Sequence, residues 1–353
     1  MKDSFNTSPS EEEIRQALSF IDSSCARDAW VRIGMAIKSE LGDSGFMLFD
    51  DWSASADNYT KSAALSTWKS IKGVGAGNSV TISTLFSEAM KFGYKPDAKE
   101  LSVDELRKRE ALALARAEKR KQDELAEQQN AEHWRNVYAE FFARIWPQLL
   151  GSIGPSKYVA RKQVGCYGLG FPRHSFVIVT DTVERCVAEI AGADNIRAFF
   201  KDERFKDSDR YSIRYVKRGT FLIPLRDLDG VIYNAQLIYE SGKKSFFREA
   251  PKQGLFHLLA KPEENKPLAL AEGYATGAAI TKATGWSCAI AFDVYNLKPV
   301  AVKLVSTYVR SPLVICGDDD VNTKDNPGRT LAEKLAKQLK CRVVFPRFGA
   351  VQA

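Results

Sequence analysis

Apolar positions recur every three or four residues through the first hundred residues of the chain. Ile14, Leu18 and Ile21 follow "SPSEEE", and the pattern returns in "DAWVRIGMAIKSEL" and "TISTLFSEAMKFGYKP". That period marks amphipathic helices. Ser8 or Ser10 caps the first, because Glu11, Glu12 and Glu13 then fall in the first turn, where the helix dipole favours anions. "MLFDDWSASADNY" breaks the pattern, and Gly93 and Pro96 end it. Residues 1–97 therefore predict a small all-α domain. From Leu101 to Asn130 the apolar stripe thins out, with seven acids and seven bases set among Ala and Leu. The segment 98–133 reads as a charged helical linker whose basic cluster, Arg116, Lys119, Arg120 and Lys121, lies on an exposed face or touches phosphates.

Globular texture returns at 134, and from 219 the period drops to two. "GTFLIPLRDLDGVIYNAQLIYESGKKSFF" alternates apolar and polar residues between the turn signals Asp229-Gly230 and Ser241-Gly242, which predicts antiparallel sheet within an α+β region, 134–262. After it, "PLALAEG", "SCAIAFD", "PLVICGDDD" and "CRVVFPRF" are short apolar runs, separated by the helical stretches "YATGAAITKAT", "NLKPVAVKLVST" and "PGRTLAEKLAKQL". Strands alternating with helices of that length predict, for 263–353, an α/β unit with a mostly parallel sheet covered on both faces. Ligands bind such sheets at the carboxyl ends of the strands. Glu272 ends the first of these strands, and Asp318, Asp319 and Asp320 end the third.

Composition narrows the class without naming it. A chain of 353 residues with 44% hydrophobic content is long enough for two or three cores. Its 51 Lys+Arg against 44 Asp+Glu permit a nucleic-acid or phosphate partner, and between Lys201 and Lys261 there are 13 bases against 8 acids, so most of the excess sits just before Glu272. The six cysteines are scattered with no C-x-x-C pair and the three histidines are isolated, so no zinc module is expected. The polar start "MKDSFNTSPS" and the lack of a run of ~18 apolar residues imply a cytoplasmic chain without a membrane partner. Trp30, Trp52 and Trp68 read as the core of the N-terminal domain, with stacking on bases as their other use. "KGVGAGNS" at 72–79 lacks the Gly-Lys-Ser/Thr of a phosphate loop and reads as a turn.

Clustered carboxylates at one sheet edge repel each other unless a cation neutralises them, and Mg²⁺ is held by one or two carboxylates plus waters and phosphates. If the two strands are neighbours, Glu272 meets the aspartates, with Asp318 and Asp320 on one side of the strand and Asp319 facing elsewhere. Capping of the helix near Pro327, or a solvated loop, is the plainer use of the aspartates.

"ALAEGYATGAAI" followed by "LVICGDDDVNTKDNPGRTLAEKLA" resembles the Toprim domain, in the form found in satellite-phage alpha-type and conjugative-plasmid primases. The resemblance extends back over "SKYVARKQV", "PLRDLDG", Gln236 and "SGKK", so it covers about 150–350. "RIGMAIKSE" and "LFDDWSASADNY" are similar to the helical primase C-terminal type 2 module. It implies a multidomain protein: a small all-α domain, then an α+β primase core containing an α/β Toprim domain. It also implies Glu272, Asp318 and Asp320 as catalytic residues, with Asp319 beside them as a further metal-binding carboxylate, and Mg²⁺, or Mn²⁺ in its place, as cofactor. Gly273 is expected to make the turn after Glu272 tight. Lys162, Arg226, Gln236, Lys243, Lys244 and Arg248 are expected to contact DNA or nucleotide.

The expected activity is that of a DNA primase, joining NTPs into short RNA primers on single-stranded DNA for phage, plasmid or mobile-element replication. Unwinding is expected from a separate replicative helicase or a further segment. A Toprim nuclease or topoisomerase-like enzyme would need partners that the sequence does not display, a Tyr-bearing domain or an ATPase loop. A non-catalytic replication-initiation module would have no use for clustered repulsive carboxylates.

Overall fold

The computed structural model describes residues 9–71, 80–96, 102–319 and 326–346. The chain divides into two compact units, Met1–Gln128 and Gln129–Ala353. "KGVGAGNS" and Asp320 lie outside the described residues.

The first unit packs helices α1 (Glu11–Leu18), α2 (Arg27–Leu41), α3 (Phe46–Ser53), α4 (Lys61–Ser70) and α5 (Ile82–Lys91), joined by the start of α6 (Val103–Leu149). Ser10 caps α1 in a capping box: its Oγ accepts from the Glu13 N–H at 3.2 Å, while the Glu13 carboxylate accepts from the Ser10 N–H at 2.7 Å. Such a cap is worth about 1 kcal/mol. Trp52 and Trp68 are buried and Trp30 is half-buried against the same core. Each indole N–H has a partner: Ser53 Oγ for Trp30, the Ile21 carbonyl for Trp52 and Asp43 for Trp68. The core role of the tryptophans follows, since Trp52 and Trp68 have no face left for a base.

The charged segment differs from the expectation of a linker ending at 133. No Gly or Pro interrupts the chain from Val103 to Trp146, so nothing breaks the helix, and α6 runs to Leu149. Within the first unit Arg109 pairs with Glu13 at 2.9 Å, Arg116 pairs with Glu40 at 3.0 Å and Arg120 donates to the Ser39 carbonyl at 2.9 Å. Two members of the basic cluster are therefore engaged by protein.

In the second unit α6 turns amphipathic, burying Trp134, Tyr138, Phe141, Phe142 and Ile145 at helical spacing. A short ladder of β1 (Leu150–Gly151) and β2 (Phe171–Pro172) encloses α7 (Lys157–Lys162). Next come β3 (Phe176–Asp181), β4 (Cys186–Ala191), α8 (Ala193–Lys201) and β5 (Tyr211–Val216), an antiparallel sheet in the order β4-β3-β5. The expected hairpins are β6 (Phe221–Arg226), β7 (Ile232–Ile238) and β8 (Lys244–Ser245), antiparallel in that order. Gly230 and Gly242 take φ of +83° and +89° in their turns, where a side chain would be strained. The apolar face of α6 packs on Phe176, Ile178, Val216, Leu222 and Leu237 of these sheets and on Phe247 just after β8.

The last sheet contains β9 (His257–Leu258), β10 (Leu268–Ala271), β11 (Ser287–Ile290), β12 (Leu313–Cys316) and β13 (Arg342–Val344), in the order β13-β12-β10-β11-β9. All pairs are parallel except β9 on β11. Helices α9 (Tyr274–Thr284), α10 (Val294–Thr307) and α11 (Pro327–Leu339) cross between strands where the sequence placed them. Ala269, Ala271, Cys288 and Ile290 face α9 and the β6–β7 layer, while Leu268, Leu270, Ala289 and Ile315 face α10 and α11. Both faces are covered, which is why these strands read as unbroken apolar runs. Among the described residues no helix is long and apolar enough to cross a membrane.

Candidate active site at the carboxyl edge of the parallel sheet

From β10 the chain moves to β11 on one side, and from β12 it moves to β13 on the other. The crevice between the carboxyl ends of β10 and β12 is thus the topological switch point, where open α/β sheets bind ligands. Ala271 pairs with Cys316 in register, so Glu272 comes level with Gly317, and Asp318 lies one residue further along a strand ~4.8 Å away. The two strands are neighbours, and two carboxylates separated by 46 positions in sequence share one edge. Both are half-buried.

Several local features hold this edge. The Glu272 carbonyl accepts from the Phe292 N–H at 2.9 Å, tying the turn to the end of β11. Phe292 itself has φ +74°, a conformation that costs a bulky residue energy and persists only where its surroundings impose it. Those surroundings include Asn296, whose amide donates to the carbonyls of Ala291 and Leu255 while its oxygen accepts from the Gly254 N–H. On the β12 side, a Cβ at Gly317 would lie 2.5 Å from Phe345 and 2.9 Å from Ala332, so only glycine fits between β12, α11 and Phe345. Gly273 is different. Its φ is −104°, and a Cβ there would meet nothing nearer than 3.8 Å, so the expected tight turn is absent and an ordinary extended residue caps α9.

Asp319 turns away from the crevice toward α11. Its carboxylate accepts from Asn326 Nδ2 at 2.6 Å and from Arg329 at 3.1 Å, and the Arg329 guanidinium stacks 4.4 Å above the Phe345 ring. Asp319 thereby fixes the start of α11 against the strand end that carries Asp318. The carboxylate pair left at the crevice has oxygen donors only, the chemistry of a hard divalent cation. Among the described residues no group of three or more His, Cys, Asp or Glu is clustered for a metal, and the third carboxylate of the expected set, Asp320, is outside them. Two carboxylates with waters and substrate phosphates match the usual holding of Mg²⁺. Cys288 and Cys316, in the strands below, are buried; desolvation raises both thiols, Cys316 to about 11, so neither is a nucleophile at neutral pH.

Behind Glu272, Tyr274 locks a loop that precedes the sheet by a hundred residues. Its hydroxyl donates to the Gly165 carbonyl at 2.7 Å and accepts from the Tyr167 N–H at 2.8 Å. The Tyr167 carbonyl accepts from His257 Nε2 at 2.7 Å, and Gly168, at φ +63°, lies so close that a Cβ would be 3.0 Å from the His257 ring. His257 is buried and its Nδ1 has no partner among the described residues. Tyr274, Gly317, Asn326 and Arg329 stand inside the quoted motifs, but no role was expected for them, and His257 was not singled out, since a lone histidine in a short strand carries no signal of its role.

The expected DNA or nucleotide contacts separate into two groups. Lys162, Lys243 and Lys244 are exposed, and the Arg248 side chain is 87% exposed, 3.8 Å from Glu249. Arg226 instead donates to the Gly230 carbonyl at 2.7 Å and lies over Trp146, and burial lowers its pKa. Gln236 is 4% exposed in β7.

Residues 14–89 match the family model described as Primase C terminal 2 (PriCT-2), and residues 267–349 match that of the Toprim domain. Two proteins named DNA primase TraC, both from Escherichia coli, are similar to the chain: one is 38% identical over 134 residues, the other 36% identical over 141. The matches take in 36% and 37% of this chain but 13% and 10% of those relatives, so the chain spans a small part of their length. A solved structure titled as the DnaG primase catalytic domain bound to ssDNA is 14% identical with a TM-score of 0.34, over 63% of this chain and 73% of that one.

Proposed function

We propose that this chain, which joins a PriCT-2 domain to a Toprim domain, is a DNA primase that copies single-stranded DNA into short RNA primers from NTPs. The observation that supports the reading is the in-register pairing of β10 with β12, which sets Glu272 and Asp318 just beyond neighbouring strand ends at the switch-point crevice. Asp318, with Asp320, would hold a divalent cation, Mg²⁺ or Mn²⁺ in its place. When bound, the cation would neutralise the triphosphate of the incoming nucleotide while the 3′-hydroxyl attacks the α-phosphorus, the bond to the β-phosphate breaks and pyrophosphate leaves.

The remaining work falls to the chain itself. Glu272, at the opposite side of the crevice, accepts the proton of the attacking hydroxyl. Asp319 and Arg329 keep Asp318 in place by fixing α11, and Asn296 and Phe292 do the same for the backbone of Glu272. Lys243, Lys244 and Arg248 offer exposed cations to template phosphates. The site lies in a chain read as cytoplasmic, with unwinding supplied by a separate helicase or a further segment.

The test is to incubate the chain with single-stranded DNA, labelled NTPs and Mg²⁺, and to look for short template-dependent oligomers. Their absence under conditions where the protein binds the strand would sink the reading.

A further inference from the structure

A cavity of about 480 Å³, within the ~300–1,000 Å³ of small-molecule pockets, opens between the β5–β6 connection and the β7–β8 turn. Two aromatic side chains, Tyr215 and Tyr239, line it together with Lys217, Arg218 and Glu240. Gly219, at φ +98°, folds the Lys217–Thr220 turn so closely against Glu240 that a Cβ would lie 2.7 Å from its carboxylate. The Lys217 ammonium lies 5.1 Å over the Tyr215 ring. Across the cavity the Tyr239 N–H donates to the Lys243 carbonyl and the Gly242 N–H to the Tyr239 carbonyl, which closes the turn that carries Glu240 and Ser241.

Aromatic faces interleaved with cations are the chemistry that holds single strands, because every base has a face to stack and every nucleotide a phosphate to pair. Glu240 is out of place in such a site if it only binds phosphates. Among the described residues its ion-pair partner is Lys157 at 3.9 Å, both exposed, a pairing of little strength. Its half-exposed carboxylate can therefore take an amino group, and it accepts from the exocyclic amine of cytosine, whereas an unpaired thymine offers only an N3–H flanked by two carbonyl oxygens that repel it.

We infer that this cavity takes an unpaired base of single-stranded DNA between Tyr215 and Tyr239, with Lys217 and Arg218 on its phosphate and Glu240 selecting an amino-bearing base. The inference rests on the reading of the chain as a template-copying enzyme, and it adds the place and the preference of template contact.

Binding of the full chain to fluorescent dC and dT oligonucleotides, measured by anisotropy without NTPs, tests it. Wild type should bind dC more tightly than dT by about fivefold. Lys217→Ala with Arg218→Ala, both exposed, should weaken binding to both strands about tenfold, and Glu240→Gln, which can donate as well as accept, should bring the dC and dT affinities together while keeping the melting temperature. Unchanged affinity in the double variant overturns the site, and an unchanged dC-to-dT ratio in Glu240→Gln overturns the selection. Free CTP displacing the oligonucleotide from wild type but not from the double variant would assign the cavity to an incoming nucleotide instead. Primer synthesis is scored separately: a double variant that binds and primes normally sinks the pocket alone, whereas weakened binding in a protein whose wild type makes no primers sinks the primase reading alone.

Discussion

On the proposed reading Glu272 and Asp318 do different work at one edge, and single substitutions separate that work from folding. Glu272→Gln and Asp318→Asn keep the size of each side chain and remove its charge. Each should cut primer yield at least about a hundredfold, the scale of a lost general base or metal carboxylate, with single-stranded DNA affinity and melting temperature unchanged. Equal losses of binding and synthesis would point to a structural role. The two glycines of the site make a second comparison. Gly273→Ala meets ordinary φ and open space and should melt like wild type, whereas Gly317→Ala must push Phe345 or Ala332 aside and should lose about 1–3 kcal/mol in urea unfolding. The reverse order would contradict the packing around β12.

At the scale of elements, the site is held by pieces that come from outside the parallel sheet. The α7–β2 loop is tied to Tyr274 of α9 and to His257 of β9, the antiparallel edge strand. Burial is the main cause that lowers the His257 pKa to about 4, with the Arg226 cation nearby adding to it, and the ring of Tyr274 lies 6.0 Å away. An unfolded histidine protonates near 6.5, so between 6.5 and 4 the unfolded state binds more protons and stability falls as pH falls. At pH 5 the loss amounts to about 2 kcal/mol. His257→Gln retains an amide donor for the Tyr167 carbonyl but does not titrate. Its melting temperature should therefore drop less than that of wild type between pH 7 and pH 5, and parallel curves would show that the histidine is protonated in the folded state as well.

At the scale of the whole molecule, the proposed reading requires a surface that holds single-stranded DNA. Lys243, Lys244 and Arg248 are exposed in the second unit, while the N-terminal helical unit has its tryptophan N–H groups satisfied internally. Binding to single-stranded DNA should weaken steeply with salt, and replacing the three cations by Ala should flatten the log-affinity against log-salt slope by about 2, at roughly 0.7 per phosphate contact. Loss of binding on removal of residues 1–97, with the triple variant unaffected, would move template recognition to the first unit.

Much of this protein was legible in the order of its residues. The helix of residues 11–18 and its Ser10 cap, the turns at Gly230 and Gly242, and the strand–helix alternation from Leu268 to Val344 are local in origin, since turn chemistry and hydrophobic period act over a few neighbours. The pairing of Glu272 with the aspartates was readable only as a condition, because strand order is set by which apolar faces pack together across the sheet. Tertiary structure decided that β10 and β12 are neighbours, that Gln236 is buried, and that the aromatic face of α6 beyond 133 is covered by the antiparallel sheets. Each of these depends on a partner distant in sequence, and periodicity holds no record of which distant surface an exposed or apolar side chain will meet.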